Sequence, residues 1–185
     1  MRIVAGRFRG RALAAVGKGD PAAHLRPTSD RTRESLFNML SGGRFDDPVT
    51  GARVLDLFAG TGALGLEALS RGAAHATFVD DGTKAQALIR QNIALCGAEA
   101  LTRIIRRDAR KLPPNDGAGF DLVFLDPPYG KALGEVALAQ ALAQGWIAPG
   151  ALIVWEESAA ITPPEGVSIL ENRRYGDTVI TLLRA

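Results

Sequence analysis

The chain has 185 residues, 46% of them apolar and 23% charged, with a net charge of +2. Those proportions suit about one globular domain and exclude disorder and collagen-like repeats. A single cysteine, Cys96, excludes an intrachain disulfide and a multi-cysteine metal site. No apolar run reaches the roughly 18 residues of a membrane helix, and the start lacks the apolar stretch of a signal peptide. The expectation is a soluble, cytoplasmic, monomeric protein. Charge is unevenly placed. Residues 1–44 hold nine Lys/Arg against three Asp/Glu, +6, whereas residues 45–185 carry −4. A basic excess confined to the first quarter suits a polyanion partner, nucleic acid first, or a solubilising arm.

The start reads as a small basic hairpin: Arg2-Ile-Val-Ala and Arg11-Ala-Leu-Ala-Ala-Val16 flank a Gly6-Arg-Phe-Arg-Gly10 turn. Thr28, Ser29 or Asp30 can cap a helix running to Leu40, with Leu36, Phe37 and Leu40 on one face, and Ser41-Gly-Gly43 stops it. From residue 53 strands and helices alternate. Strands are expected at 54–58, 75–80, 101–106, 120–125 and 151–156, with helices at 62–71, 83–96 and 133–144. Alternation of this kind gives βαβ units and a doubly wound, mostly parallel α/β sheet. The end differs. Runs at 167–173 and 178–183 flank Tyr175-Gly-Asp177, an antiparallel hairpin at the sheet edge.

Gly60, Gly62 and Gly65 fit G-x-G-x-x-G between the first strand and its helix, with Thr61 inside the turn. Glycines there permit a tight turn and close approach of a ligand to backbone. Asp80 follows Gly62 by 18 residues, at a strand end, where a carboxylate can accept both hydroxyls of an adenosine ribose. Asp56 selects among ligands. It precedes Gly60 by four residues, inside the first strand. A carboxylate so placed repels a pyrophosphate and attracts a sulfonium or an ammonium, which favours S-adenosylmethionine over a nicotinamide dinucleotide. Asp108 and Ala109 follow the third strand, where an adenine edge would lie; taken alone the dipeptide is non-specific, and a solvated loop aspartate is the reading to prefer there.

Asp126-Pro-Pro-Tyr129, directly after the fourth strand, points to chemistry on a nucleobase amine. Such an amine is a poor nucleophile because its lone pair is delocalised into the ring. Accepting its N–H bonds exposes that lone pair. Asp126 supplies one acceptor and the Pro127 carbonyl another, while Pro127 and Pro128 fix φ and hold both in place. Tyr129 offers a face for an unstacked base. The amine can lose its proton after transfer, so this chemistry does not require Asp126 to have a raised pKa. His24 and His75 lie 51 residues apart without a carboxylate cluster, which argues against a metal site. Cys96, Trp146 and Trp155 read as packing. Arg103, Arg106, Arg107, Arg110 and Lys111 form a second basic cluster that suits RNA or a solvated face.

Residues 54–129 resemble Rossmann-like S-adenosylmethionine-dependent methyltransferases acting on exocyclic amines. The whole chain resembles the RsmD family of 16S ribosomal RNA guanine-N2 methyltransferases. The matches are residues 2–11, Arg26 to Asn38, Leu55 to Gly72 and Phe124 to Tyr129. The resemblance implies cofactor roles for Asp56, Gly60, Gly62, Asp80 and Asp108, and a catalytic role for Asp126 to Tyr129. It implies 16S ribosomal RNA as partner, alone or within the assembling small subunit. Relatives carry Glu where this chain has Asp80-Asp81, so either aspartate could take the ribose.

The expected organisation is a basic extension, 1–44, and a methyltransferase domain, 45–185. Arg7, Arg9 and Arg11 are the expected phosphate contacts. A DNA adenine-N6 methyltransferase would use the same catalytic motif, but 56 residues after Tyr129 leave little room for a DNA-reading domain. A non-catalytic RNA-binding module would not need the acceptor geometry at Asp126.

Overall fold

The computed structural model describes residues 1–15 and 29–185. Val16 of the expected hairpin, His24, and Arg26 to Thr28 ahead of the first helix lie outside the described residues. The elements are α1 (Asp30–Leu40), β1 (Arg53–Leu57), α2 (Ala63–Ser70), β2 (His75–Asp80), α3 (Thr83–Cys96), β3 (Thr102–Arg106), β4 (Phe120–Leu125), α4 (Leu133–Ala143), β5 (Ile147–Glu157), β6 (Ser168–Tyr175) and β7 (Thr178–Arg184). All seven strands join one sheet in the order β3-β2-β1-β4-β5-β7-β6. The first five run parallel, and β7 and β6 pair antiparallel. The strand order reverses between β1 and β4. In open α/β sheets ligands bind outside the carboxyl ends of the strands at such a point.

The central strands β1, β2 and β4 are buried on both faces, which is why they read as near-continuous apolar runs, whereas the edge strands β3 and β6 are partly exposed. On one face Val54, Phe78 and Phe124 pack with Leu36, Phe37 and Leu40 of α1 and Ile3 of the amino-terminal arm. On the other, Leu55, Val123 and Trp155 pack with Ala137, Leu138 and Ala141 of α4. Ser29 caps α1, accepting from the Thr32 N–H at 3.1 Å. Cys96, Trp146 and Trp155 are buried, as packing residues should be.

Two expectations shift. β5 begins at Ile147 rather than Ala151, because Phe120 pairs with Ile147 before the register slips ahead of Leu122. Pro149-Gly150 therefore sits inside an irregular strand instead of ending a loop. Among the described residues the amino-terminal hairpin holds one bridge, Arg2 to Ala12. Its backbone is satisfied partly within the hairpin, where Ile3 N–H donates to the Arg11 carbonyl at 3.0 Å and Leu13 N–H to that of Met1 at 3.1 Å, and partly by the helices beneath it. Val4 and Ala5 donate to Glu67 at 2.8 and 3.0 Å, and Phe8 donates to the Ser70 hydroxyl at 2.9 Å. Gly6 has φ +78°, and a Cβ there would stand 1.8 Å from the Ser70 carbonyl oxygen, so only glycine fits.

Glu67 is the hub of this docking. Its carboxylate, fully buried on α2, also takes Arg71 Nε at 2.8 Å and faces Arg33 Nε, buried on α1, at 3.4 Å. Its removal leaves the Val4 and Ala5 N–H groups without their acceptor and takes one carboxylate from buried Arg33, which keeps Asp30 at 2.8 Å. Glu67→Ala should cost about 3–5 kcal/mol in urea denaturation. A loss below 1 kcal/mol, on the scale of an exposed pair, would refute this role.

Candidate active site

β1 delivers the chain into the glycine turn at the switch point. Phe58, Gly60 and Gly62 have φ of +58°, +57° and +77°. Left-handed backbone suits glycine; at Phe58 it is strain, of the kind that concentrates at functional sites. Gly65 is required by packing. A Cβ there would stand 2.4 Å from the Phe78 ring and 3.2 Å from Asp56 Oδ2. The Gly65 N–H instead donates to Asp56 at 3.0 Å, tying α2 to β1. Asp56 is buried, and burial, helped by the negative charge of Asp80, pushes its carboxyl up to about 8 against the pull of the Gly65 N–H.

Asp80 ends β2 between two loops. Its Oδ2 accepts from Gly60 N–H and its Oδ1 from Gly82 N–H, both at 2.9 Å. Burial raises its pKa despite these bonds. Asp81 is exposed, so Asp80 is the carboxylate that touches the glycine turn. The Thr61 carbonyl accepts from Asn92 Nδ2 at 2.8 Å. Asp108 and buried Ala109 line a cleft with Phe58, Val79, Asp80 and Pro128. Asp108 is already engaged: Arg110 grips both its oxygens, Nε to Oδ1 at 2.9 Å and a terminal nitrogen to Oδ2 at 2.6 Å. The Arg110 fork holds the Asp108 carboxyl below its usual range. Of the second basic cluster, Arg106 bonds the Thr83 hydroxyl at 3.1 Å, which leaves two of its arginines spoken for.

The loop after β4 starts beside the entry to the glycine turn, for Asp126 N–H donates at 3.4 Å to the carbonyl of Leu57, the last residue of β1. Pro127 is buried and Pro128 forms part of the cleft wall. Burial, then the charges of Glu156, Asp56 and Glu157, raises the Asp126 carboxyl well above its usual range. The chemistry does not demand that shift; the packing of four carboxylates imposes it. Tyr129 is pinned through its hydroxyl, which donates to Glu156 Oε1 at 2.7 Å and lies 2.9 Å from Thr178 Oγ1. Glu157 takes the Gly130 N–H at 3.0 Å. Thus β5 fastens the loop at two places. Sequence reasoning missed Glu156 and Glu157. The signal was two carboxylates closing the apolar run 151–155, on the strand next to Asp126.

The arginine-bearing tip of the amino-terminal arm lies elsewhere. Thr61 Oγ1 is 3.8 Å from Met1 sulfur, and Asn92 bonds both backbone groups of Ala14, so the ends of the arm meet the glycine turn. Its tip runs down α2, where Arg7 N–H donates to the Ser70 carbonyl at 2.8 Å. Eight residues of α2 separate the two, about 12 Å. Arg7 and Arg9 therefore sit at the tip, and Arg11 near Cys96 at the end of α3, all toward the amino ends of the strands. The structure does not bring them to Asp126.

Residues 1–184 match the family described as conserved hypothetical protein 95. The chain is 37% identical to ribosomal RNA small subunit methyltransferase D of Escherichia coli, over 98% of this chain and 88% of the relative. The protein of the same name from Haemophilus influenzae is 36% identical over 95% and 89%. The solved structure of Escherichia coli yhhF superposes with a TM-score of 0.83, at 35% identity, covering 100% of this chain and 97% of that one. Identity of this order across nearly the whole of both chains places this chain in the family of the ribosomal RNA small subunit methyltransferases D.

Proposed function

We propose that this chain transfers the methyl group of S-adenosylmethionine to the exocyclic N2 amine of a guanine in 16S ribosomal RNA, alone or within the assembling small subunit. The observation that carries the reading is the Asp126–Leu57 contact. It sets an amine acceptor beside the turn that holds the cofactor, at the sheet's switch point. Family membership supports the RNA substrate, and the RsmD resemblance supports guanine N2.

The residues present fit the cofactor. Asp56 offers a carboxylate to a cation, the left-handed Gly60 and Gly62 turn the chain tightly on either side of Thr61, and Asp80 stands at a ribose position. Asp108 and Ala109 would border the adenine, with Arg110 yielding or sharing the carboxylate. When bound, S-adenosylmethionine supplies a methyl group on a positively charged sulfur. Asp126 and the Pro127 carbonyl accept the amine N–H bonds, and Pro127 and Pro128 hold those acceptors rigid. Tyr129, held by Glu156 and Thr178, presents its ring to a base drawn out of its stack. Residues 1–44 serve the 45–185 catalytic domain as a basic extension. The working unit is a single chain in the cytoplasm; among the described residues no helix is long and apolar enough to cross a membrane.

The test is incubation with methyl-labelled cofactor and, separately, a 16S ribosomal RNA transcript, small-subunit particles and duplex DNA. Label is expected in RNA as N2-methylguanine. Label on DNA adenine, or on neither polymer, would overturn the proposal.

A further inference from the structure

The catalytic mouth is acidic. Asp56, Asp126, Glu156 and Glu157 gather at the ends of β1, β4 and β5. Cations beside the opening favour the approach of a polyanion, and Arg107 and Arg110 already line the adjoining cleft. The arginines of the arm sit toward the other end of the sheet, so they do not neutralise phosphates next to the reacting base.

The last hairpin supplies cations at the right level. Arg173 on β6 pairs in register with Ile180 on β7, and Ile180 with Glu156 on β5. Cross-strand partners share a sheet face, so Arg173 stands on the face of Glu156, two strand spacings or about 10 Å away. That is the carboxylate holding the Tyr129 hydroxyl. Thr178, the second partner of that hydroxyl, pairs with Tyr175, two residues beyond Arg173. β6 is the outer strand, so this side chain is open to solvent.

Arg44, in the segment after α1, joins it. Glu171 accepts from Arg44 through Oε2 at 2.7 Å and from Arg173 Nε through Oε1. One carboxylate, 14% exposed, thus steadies two guanidiniums that are 62% and 47% exposed. The trio has a net charge of +1, and each guanidinium keeps N–H donors facing water. Exposed ion pairs stabilise a fold little. Planar guanidiniums held in place are well suited to phosphate oxygens.

We infer that Arg44 and Arg173, steadied by Glu171, form a phosphate clamp for the RNA backbone flanking the methylated base. This rests on the RNA reading above. The clamp orients the strand at the mouth and reads no sequence.

The test compares wild type with an Arg44→Ala/Arg173→Ala double variant, using a fluorescent 16S ribosomal RNA fragment across a salt series. Two lost phosphate contacts should lower the slope of log affinity against log salt by about 1.4–1.8, and weaken binding roughly tenfold near physiological salt. The KM for RNA should rise by a similar factor. S-adenosylmethionine affinity and melting temperature should hold, showing that the fold survives. Arg44→Lys/Arg173→Lys keeps the charges and should keep the slope. If wild type methylates the RNA and the alanine variant matches it in slope, affinity and KM, the clamp is refuted and the proposed function stands. If wild type neither binds nor methylates RNA, both fall.

Discussion

Asp126→Asn should slow single-turnover methylation of RNA, at saturating cofactor, by about 10²-fold or more. That is the scale for removing one preorganised electrostatic contact. Asparagine keeps the size and one acceptor oxygen. It loses the negative charge that favours a nitrogen becoming cationic. Cofactor affinity should change little, because Asp126 is assigned to the base and Asp56 and Asp80 to the cofactor. A variant as fast as wild type would show that the carboxylate is not the acceptor, leaving Asp-Pro-Pro-Tyr as a stiff pocket wall.

The same carboxyl sets a pH dependence. Burial and the charges of Glu156, Asp56 and Glu157 raise its pKa in the protein without cofactor. Only the ionised form favours the developing cation. Activity should therefore fall as pH drops through that raised pKa and level off above it. Glu156→Gln removes one neighbouring charge while its amide oxygen can still accept from Tyr129. Its acid limb should shift to lower pH. An unmoved limb would mean that Glu156 acts on Tyr129 alone.

The sheet was legible because buried parallel strands are continuous apolar runs and their helices end at glycines such as Gly72 and Gly97. The glycine turn, Asp56 and Asp126 were legible because their spacing on a strand–turn–helix frame has a chemical reason. Three things were not. Glu156 and Glu157 are 30 and 31 residues from Asp126 and meet it through the pairing of β4 with β5. The Arg110 grip on Asp108 depends on a 3-10 turn, Ala109–Lys111, whose short span carries no periodicity. The placement of Arg7, Arg9 and Arg11 was invisible because charge composition counts cations without locating them. Glu67, which lies in the matched stretch Leu55 to Gly72 but carries no role legible there, decides where that arm lies.

S-Adenosylmethionine should bind more tightly as pH rises from 6 to 8, by up to tenfold per pH unit, and should release a proton as it binds. Without ligand, burial holds the Asp56 carboxyl at about 8, so near neutrality it keeps its proton. A sulfonium or ammonium beside it favours the ionised form. Binding below about pH 8 must therefore expel that proton, and linkage makes the affinity climb with pH. The climb ends near pH 8, where Asp56 is ionised in the free protein and the ligand's own α-amino group, of ordinary pKa about 7.7–8.0, begins to lose charge. Asp56→Asn is the discriminating variant. Asparagine can still accept from Gly65 N–H, which keeps the start of α2 in place. Its pH dependence should flatten and its proton release should fall. Stability follows the same linkage with opposite sign. The unfolded chain loses this proton at the ordinary value of 3.8, so the folded protein without ligand loses stability as pH rises from there toward 8. Bound cofactor should cancel part of that loss. Calorimetry in two buffers of different ionisation enthalpy measures the proton directly. Wild-type binding that releases none, with affinity flat between pH 6 and 8, would remove Asp56 from the cofactor site.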